Sequence, residues 1–138
     1  MSIYLDNQKL QLFERAIEVI AEFKSTFGRD LKPDVIAELY VAREMNLSLM
    51  RGPNAPGYDA VDDQGFRYEI KERTAQNVDL NNFDFDYLVL VNLDDQYKIK
   101  GMWKLSRNAA KSIFTWRDKF RKNQATQDKI KAVAQRIR

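Results

Sequence analysis

Glu69 and Lys71 stand two residues apart in the run Tyr68-Glu69-Ile70-Lys71, and Asp59 precedes them in Gly57-Tyr58-Asp59. On a β-strand, residues two apart leave the same face, so Glu69 and Lys71 project together while Tyr68 and Ile70 anchor the opposite face in a core. Two carboxylates beside an ammonium suit a hard divalent cation. Mg²⁺ prefers oxygen ligands, keeps several waters, and commonly takes only one or two protein carboxylates plus phosphate oxygens. Asp59, Glu69 and the carbonyl of Ile70 could supply that partial shell. The ion would acidify a water and polarise a phosphodiester, while Lys71 would orient the attacking water and offset developing negative charge. The chain has no histidine and no cysteine. Imidazole bases, thiol nucleophiles, thiolate zinc sites and disulfides are therefore excluded, and any chemistry falls to carboxylates, lysines and hydroxyls. Taken alone, a Glu-Xaa-Lys reads first as a same-face ion pair on an exposed strand. Its weight here comes from the aspartate at hairpin distance, the Gly/Pro loop that leads in and the apolar strand that follows.

The elements that must position these residues are legible in outline. Leu10, Phe13, Ala16, Ile17, Ile20 and Phe23 recur at three- and four-residue steps, predicting an amphipathic helix from Gln8 to Phe27 that stops at Gly28. Pro33 suits a first turn, predicting a second helix to about Met45 with Val35, Leu39 and Ala42 facing inward. The stretch from Leu49 to Gly57, rich in glycine and proline, reads as a loop. A hairpin then pairs Tyr58–Val61 with Phe66–Arg73 across Asp62-Asp63-Gln64-Gly65, placing Arg67, Glu69, Lys71 and Arg73 on one face. The near-continuous apolarity of Tyr87-Leu88-Val89-Leu90-Val91 predicts a strand covered on both faces, at the centre of the sheet. Tyr97, Ile99, Gly101, Trp103 and Leu105 alternate with Lys98, Lys100, Met102 and Lys104, predicting an edge strand with one apolar face. Ser106 can cap a helix from Arg107 to about Phe114. A last helix from Thr126 to Arg138 would carry Ile130, Val133, Ala134 and Ile137 on one stripe. The order implies one α/β domain over residues 1–138, a central mixed β-sheet flanked by helices, with a basic C-terminal helical region at 106–138.

Glu38, on the second helix, borders the inward stripe, where a carboxylate needs a partner. It could reach Lys71 or a metal-held water, or form a structural salt bridge to Arg43 or Arg73.

Charge is divided unevenly along the chain. Residues 1–103 carry 12 basic and 18 acidic side chains, and residues 104–138 carry 11 basic and 2 acidic. Such asymmetry suggests a polyanionic partner for the tail, although a solvated lysine-rich surface fits the charge equally well. Arg51 in the Gly/Pro loop, Arg73, and the row Lys98, Lys100 and Lys104 are candidate nucleic-acid contacts; the lysine row could instead discourage edge-to-edge pairing. Arg107, Lys111, Arg117, Lys119, Arg121 and Lys122, interleaved with Phe114, Trp116 and Phe120, could grip phosphates while an aromatic stacks on a base, although such aromatics more often belong to a core. The amino terminus lacks a basic segment followed by an apolar run, and no stretch approaches the ~20 apolar residues of a spanning helix, so the expected compartment is the cytoplasm.

Glu38, then Gly57-Tyr58-Asp59, then Tyr68-Glu69-Ile70-Lys71 together resemble the PD-(D/E)XK, or restriction-endonuclease-like, nuclease superfamily, over roughly Pro33 to Leu105. The stretch through Pro56-Gly57-Tyr58-Asp59-Ala60-Val61 is similar to small uncharacterised bacterial and phage domains of that superfamily. The first half of the motif reads Tyr58-Asp59 rather than Pro-Asp, which leaves the ligand in place. The resemblance implies a restriction-endonuclease-like fold and a Mg²⁺- or Mn²⁺-dependent endonuclease acting on DNA. Asp59 and Glu69 would be metal ligands, Lys71 the catalytic lysine and Glu38 an accessory acid. Two further readings stand beside it: a non-catalytic nucleic-acid-binding or assembly module with the same fold inside a larger defence or repair complex, and a homodimer seam on the last helix through Ile130, Val133 and Ile137.

Overall fold

A computed structural model of the chain describes residues 2–28, 32–50 and 57–138. Among the described residues the elements are β1 (Ser2–Ile3), α1 (Asn7–Phe27), α2 (Pro33–Met45), β2 (Ser48–Met50), β3 (Ala60–Val61), β4 (Arg67–Glu72), β5 (Asn77–Leu80), β6 (Tyr87–Leu93), β7 (Ile99–Ser106), α3 (Arg107–Ile113), β8 (Thr115–Arg117), β9 (Lys122–Thr126), α4 (Gln127–Val133) and β10 (Gln135–Arg136). Seven strands form one mixed sheet in the order β1-β2-β3-β4-β6-β7-β10, and β5-β9-β8 form a second, three-stranded sheet. Among the described residues only β4 and β6 run parallel, and every other pairing is antiparallel.

Local chemistry accounts for the element ends. The Asp6 carboxylate accepts from the Lys9 N–H at 2.9 Å to start α1, and Gly28, at φ 67°, supplies the left-handed residue that ends it. The β3–β4 turn is held by Asp62, whose Oδ1 accepts from the N–H groups of Gln64 and Phe66, both at 2.9 Å, with Gly65 at φ 85°. Ser106 Oγ accepts from Ala109 N–H and caps α3 as its sequence position suggests.

The large sheet separates two cores. On one side α1 and α2 cover Tyr68, Ile70, Val89, Val91 and Met102. On the other, the small sheet, α3 and α4 cover Leu88, Leu90, Trp103 and Leu105. β6 contributes to both, which is why its sequence is apolar almost throughout. The buried arc of α2 is Ile36, Ala37, Tyr40, Val41 and Ala42, while Val35 is exposed. The helix is thus rotated from the expected phase, and Tyr40 is carried inward to donate its hydroxyl to the Tyr97 carbonyl at 2.8 Å.

Three expectations are corrected. The alternation along β7 breaks: Asn92 pairs with Gly101 but Leu93 with Ile99, so Lys100 sits at a bulge. A bulge shifts the phase of side chains by one residue. Tyr97 and Ile99 therefore join Met102 on the α1–α2 side, while Trp103 and Leu105 face the small sheet, and the lysines do not form one row. Nor is β7 the edge, because β10 pairs with it at Trp103 and Lys104. Finally, the C-terminal helix ends at Val133. The chain then zips onto β7, where Ile137 N–H donates to the Met102 carbonyl at 2.7 Å and Met102 N–H to that of Arg138 at 3.2 Å. Open strand groups of this kind require partners, and here they outweigh continued helix. Ile130 and Ile137 consequently pack into opposite cores, and Val133 is exposed. The single helical stripe on which a dimer seam was expected does not exist, and region 106–138 holds the strands β8, β9 and β10 as well as the helices α3 and α4.

Candidate functional site

β3 pairs with β4 only through Ala60↔Tyr68 and Val61↔Arg67. Beyond Tyr68, among the described residues, the β3 side of β4 has no partner strand. Asp59 stands at this fork: its N–H donates to the Tyr68 carbonyl at 2.8 Å, and its Oδ2 accepts from Ile70 N–H at 2.7 Å. The side chain thus takes the place of the missing strand carbonyl, which fixes the Asp59 carboxylate against the residue lying between Glu69 and Lys71.

Tyr68 and Ile70 are buried on the α1–α2 side, so Glu69 and Lys71 leave the opposite face, as strand alternation requires. Lys71 Nζ lies 3.7 Å from Glu69 Oε1. Their side chains retain only 22% and 18% of their exposure, so this is not an ion pair on an open surface. Glu38, on α2, completes the group, its carboxyl close enough to those of Asp59 and Glu69 to feel their charges. It is partnered there rather than by Arg43, which lies over the rings of Phe13 and Tyr40, or by Arg73, whose Nη1 donates to the Glu72 carbonyl.

Three carboxyls drawn together out of water resist ionisation. Burial, then the negative charges of Asp59, Asp34 and Glu69, pushes Glu38 up to about 8. Burial and the Asp59 charge push Glu69 up to about 7, against the pull of Lys71. Burial also raises Asp59, opposed by the Ile70 N–H and Lys71. Asp34, one helical turn before Glu38, adds a fourth negative charge that the sequence reading passed over; its spacing of four from Glu38 was the available signal. Perturbed acids clustered in this way mark candidate functional sites.

Among the described residues, no group of three or more Asp or Glu is arranged to hold a metal ion. A set of two carboxylates, Asp59 and Glu69, beside the strand backbone nevertheless fits Mg²⁺, which needs no full protein cage. Their mutual repulsion is the property a bound cation would relieve.

The remaining candidate contacts are dispersed. Arg51 lies outside the described residues. Arg73 directly follows β4, and its carbonyl accepts from Asn92 Nδ2 at 2.9 Å. Asn92 Nδ2 also donates to Oε1 of Gln127, a buried residue whose own Nε2 donates to the Ala75 carbonyl. This knot ties the end of β4 to the small sheet. Lys104 Nζ sits 4.1 Å from the centroid of Tyr87 and is committed to that ring. Lys98 lines a cleft with Glu14, Glu18, Arg43 and Arg138, and Lys100 is exposed at the β7 bulge. None of these three lysines joins the carboxyl cluster.

No protein-family model matches the chain, and no curated protein matches it at a significant level. No described helix is long and apolar enough to cross a membrane.

Proposed function

We propose that the chain is a restriction-endonuclease-like domain of PD-(D/E)XK type that hydrolyses phosphodiester bonds of DNA with Mg²⁺ or Mn²⁺. The observation that carries this reading is the convergence of Asp59, Glu69, Lys71 and Glu38 at the fork between β3 and β4. Asp59 and Glu69 would hold the ion. Once bound, it would polarise the scissile phosphate and ease deprotonation of water. Lys71, aimed from a rigid strand, places an ammonium where negative charge develops on the phosphate oxygens. The Ile70 N–H holds the Asp59 carboxylate in one orientation, so the site needs little rearrangement to act. Glu38, protonated through neutral pH, keeps a proton beside Asp59 and can pass it to a leaving oxygen.

Calorimetric titration of Mg²⁺ into the wild type and into an Asp59→Ala/Glu69→Ala variant tests the metal assignment. Binding by the first and none by the second is the expected result; absence of binding by the wild type contradicts it. A second reading, a nucleic-acid-binding module that keeps the fold without catalysis, draws on the 11 basic against 2 acidic side chains of residues 104–138. Metal-independent DNA binding without cleavage under any divalent ion would favour that reading.

A further inference from the structure

The basic and aromatic residues between Phe114 and Lys122 do not share one fate. Phe114 is buried and meets Phe83 edge-on at 6.3 Å. Trp116 and Phe120, by contrast, stay 52% and 54% exposed on the β8–β9 hairpin. Residues 115–122 carry four basic side chains, Arg117, Lys119, Arg121 and Lys122, against one acidic, Asp118. Arg117 and Lys122 are direct cross-strand partners. Like charges so placed weaken a hairpin, so they do not serve its own stability. Lys122 has a distant neutralising partner in Asp79 at 3.7 Å, whereas Arg117, Lys119 and Arg121 have no ion pair among the described residues.

We infer that this hairpin is a docking surface for an unpaired segment of nucleic acid, with Trp116 and Phe120 stacking on bases and Arg117, Lys119 and Arg121 holding phosphates. Exposed aromatic rings among cations that lack ion pairs, with Lys119 Nζ resting 5.6 Å from the centroid of the Phe120 ring until a base displaces it, match that polymer, which alternates flat apolar bases with anionic phosphates; in a duplex the base faces are already covered. An anionic membrane fits less well, because the exposed apolar surface of the hairpin is confined to two rings, Trp116 and Phe120, set among four basic side chains and an acidic one. Trp116 pairs with Asn123, which pairs with buried Leu80, so the indole lies on the face of the small sheet turned toward the large one, while Arg117, the next residue along, leaves the other face, and a bound segment would follow the outer edge of β8 between them. The indole's side is the one from which Glu69 and Lys71 project. The loop after β5 reaches the site, since the Asn82 amide and Asp84 lie against Gly57, two residues before Asp59. The inference is drawn from the hairpin itself and stands or falls separately from the catalytic reading.

The test is fluorescence anisotropy of a labelled single-stranded oligothymidine with the full chain in EDTA, beside sedimentation with phosphatidylserine vesicles. The wild type binds the oligonucleotide. Trp116→Ala/Phe120→Ala binds about tenfold or more weakly, while Trp116→Phe retains most of the affinity. Arg117→Gln/Lys119→Gln binds more weakly and with a shallower dependence on salt. Because the assay runs in EDTA, where metal-dependent cleavage cannot occur, a failure of catalysis and a failure of docking are read separately. The oligonucleotide also quenches indole fluorescence; because Trp103 is buried between Lys131 and Arg136, that quenching reports Trp116 even if the double alanine variant does not fold. Undiminished binding by a folded double alanine variant, absence of quenching, or wild type that sediments with vesicles and ignores the oligonucleotide would overturn the inference.

Discussion

The Oδ2 atom of Asp59 lies 2.7 Å from the backbone nitrogen of Ile70, the residue between Glu69 and Lys71. One carboxylate thereby does the work of a strand carbonyl and stands as a candidate ligand. The two roles are separable. Asp59→Asn keeps an oxygen acceptor for the Ile70 N–H and removes the charge, whereas Asp59→Ala leaves that N–H without it. The asparagine variant is expected to be about 1–2 kcal/mol more stable than the alanine variant in urea unfolding at neutral pH. Equal stability of the two would deny the bond its structural role.

The cluster also sets a pH dependence. Glu38 and Glu69 are held at about 8 and about 7, well above their values in an unfolded chain. Between the unfolded and folded values the native state binds more protons, so the contribution of these two groups to stability is fully present below their unfolded values and is lost as pH rises from there through 7 and 8. Glu38→Gln removes one of the ionising groups and should lose less stability between pH 5.5 and pH 9. The expected difference, allowing for solvent screening, is on the order of 1–2 kcal/mol in favour of the variant. A variant that loses as much as the wild type over that interval, by urea midpoints, would show that Glu38 ionises freely.

Lys71 acts on developing charge and is not a metal ligand in this account. Lys71→Ala should therefore retain Mg²⁺ binding by calorimetry while losing on the order of 10²-fold or more in DNA cleavage rate. Cleavage by that variant at the wild-type rate removes the lysine from the mechanism.

Away from the site, Gly101 lies beneath the Trp103 indole, and a Cβ added there would come within 2.2 Å of the ring. The ring is itself flanked by Lys131 at 4.3 Å and Arg136 at 5.2 Å, so it cannot move without disturbing α4 and β10. Gly101→Ala is expected to cost about 1–3 kcal/mol. Thermal unfolding gives the check, and an unchanged midpoint would mean that the indole yields freely.

The parts of this fold visible in the sequence are those written by strong local chemistry. The Asp62–Gly65 turn, the period-two pattern around Glu69 and Lys71, the apolar run at Leu88–Val91 and the Ser106 cap each declare themselves within a few residues. What escaped depends on distant partners. β1, β2 and β8 are two or three residues long and acquire strand character only by pairing. The Lys100 bulge leaves no periodic trace, yet it decides which core receives Trp103. Ile130, Val133, Ala134 and Ile137 satisfy a helical period, but β7 captures the chain after Val133. At the site itself, Asp59, Glu69 and Lys71 were legible because one hairpin brings them together. The commitment of Glu38 to Asp59, and the added charge of Asp34, depend on how α2 packs over β4, which spacing alone does not specify.

Plasmid cleavage in the presence of Mg²⁺ or Mn²⁺, with wild type and an Asp59→Asn/Glu69→Gln variant compared side by side, tests the central claim most directly. The account predicts nicking or linearisation by the wild type that requires the divalent ion and is absent from the variant. Supercoiled plasmid left intact by the wild type under every divalent ion, or cut equally by both proteins, would contradict it.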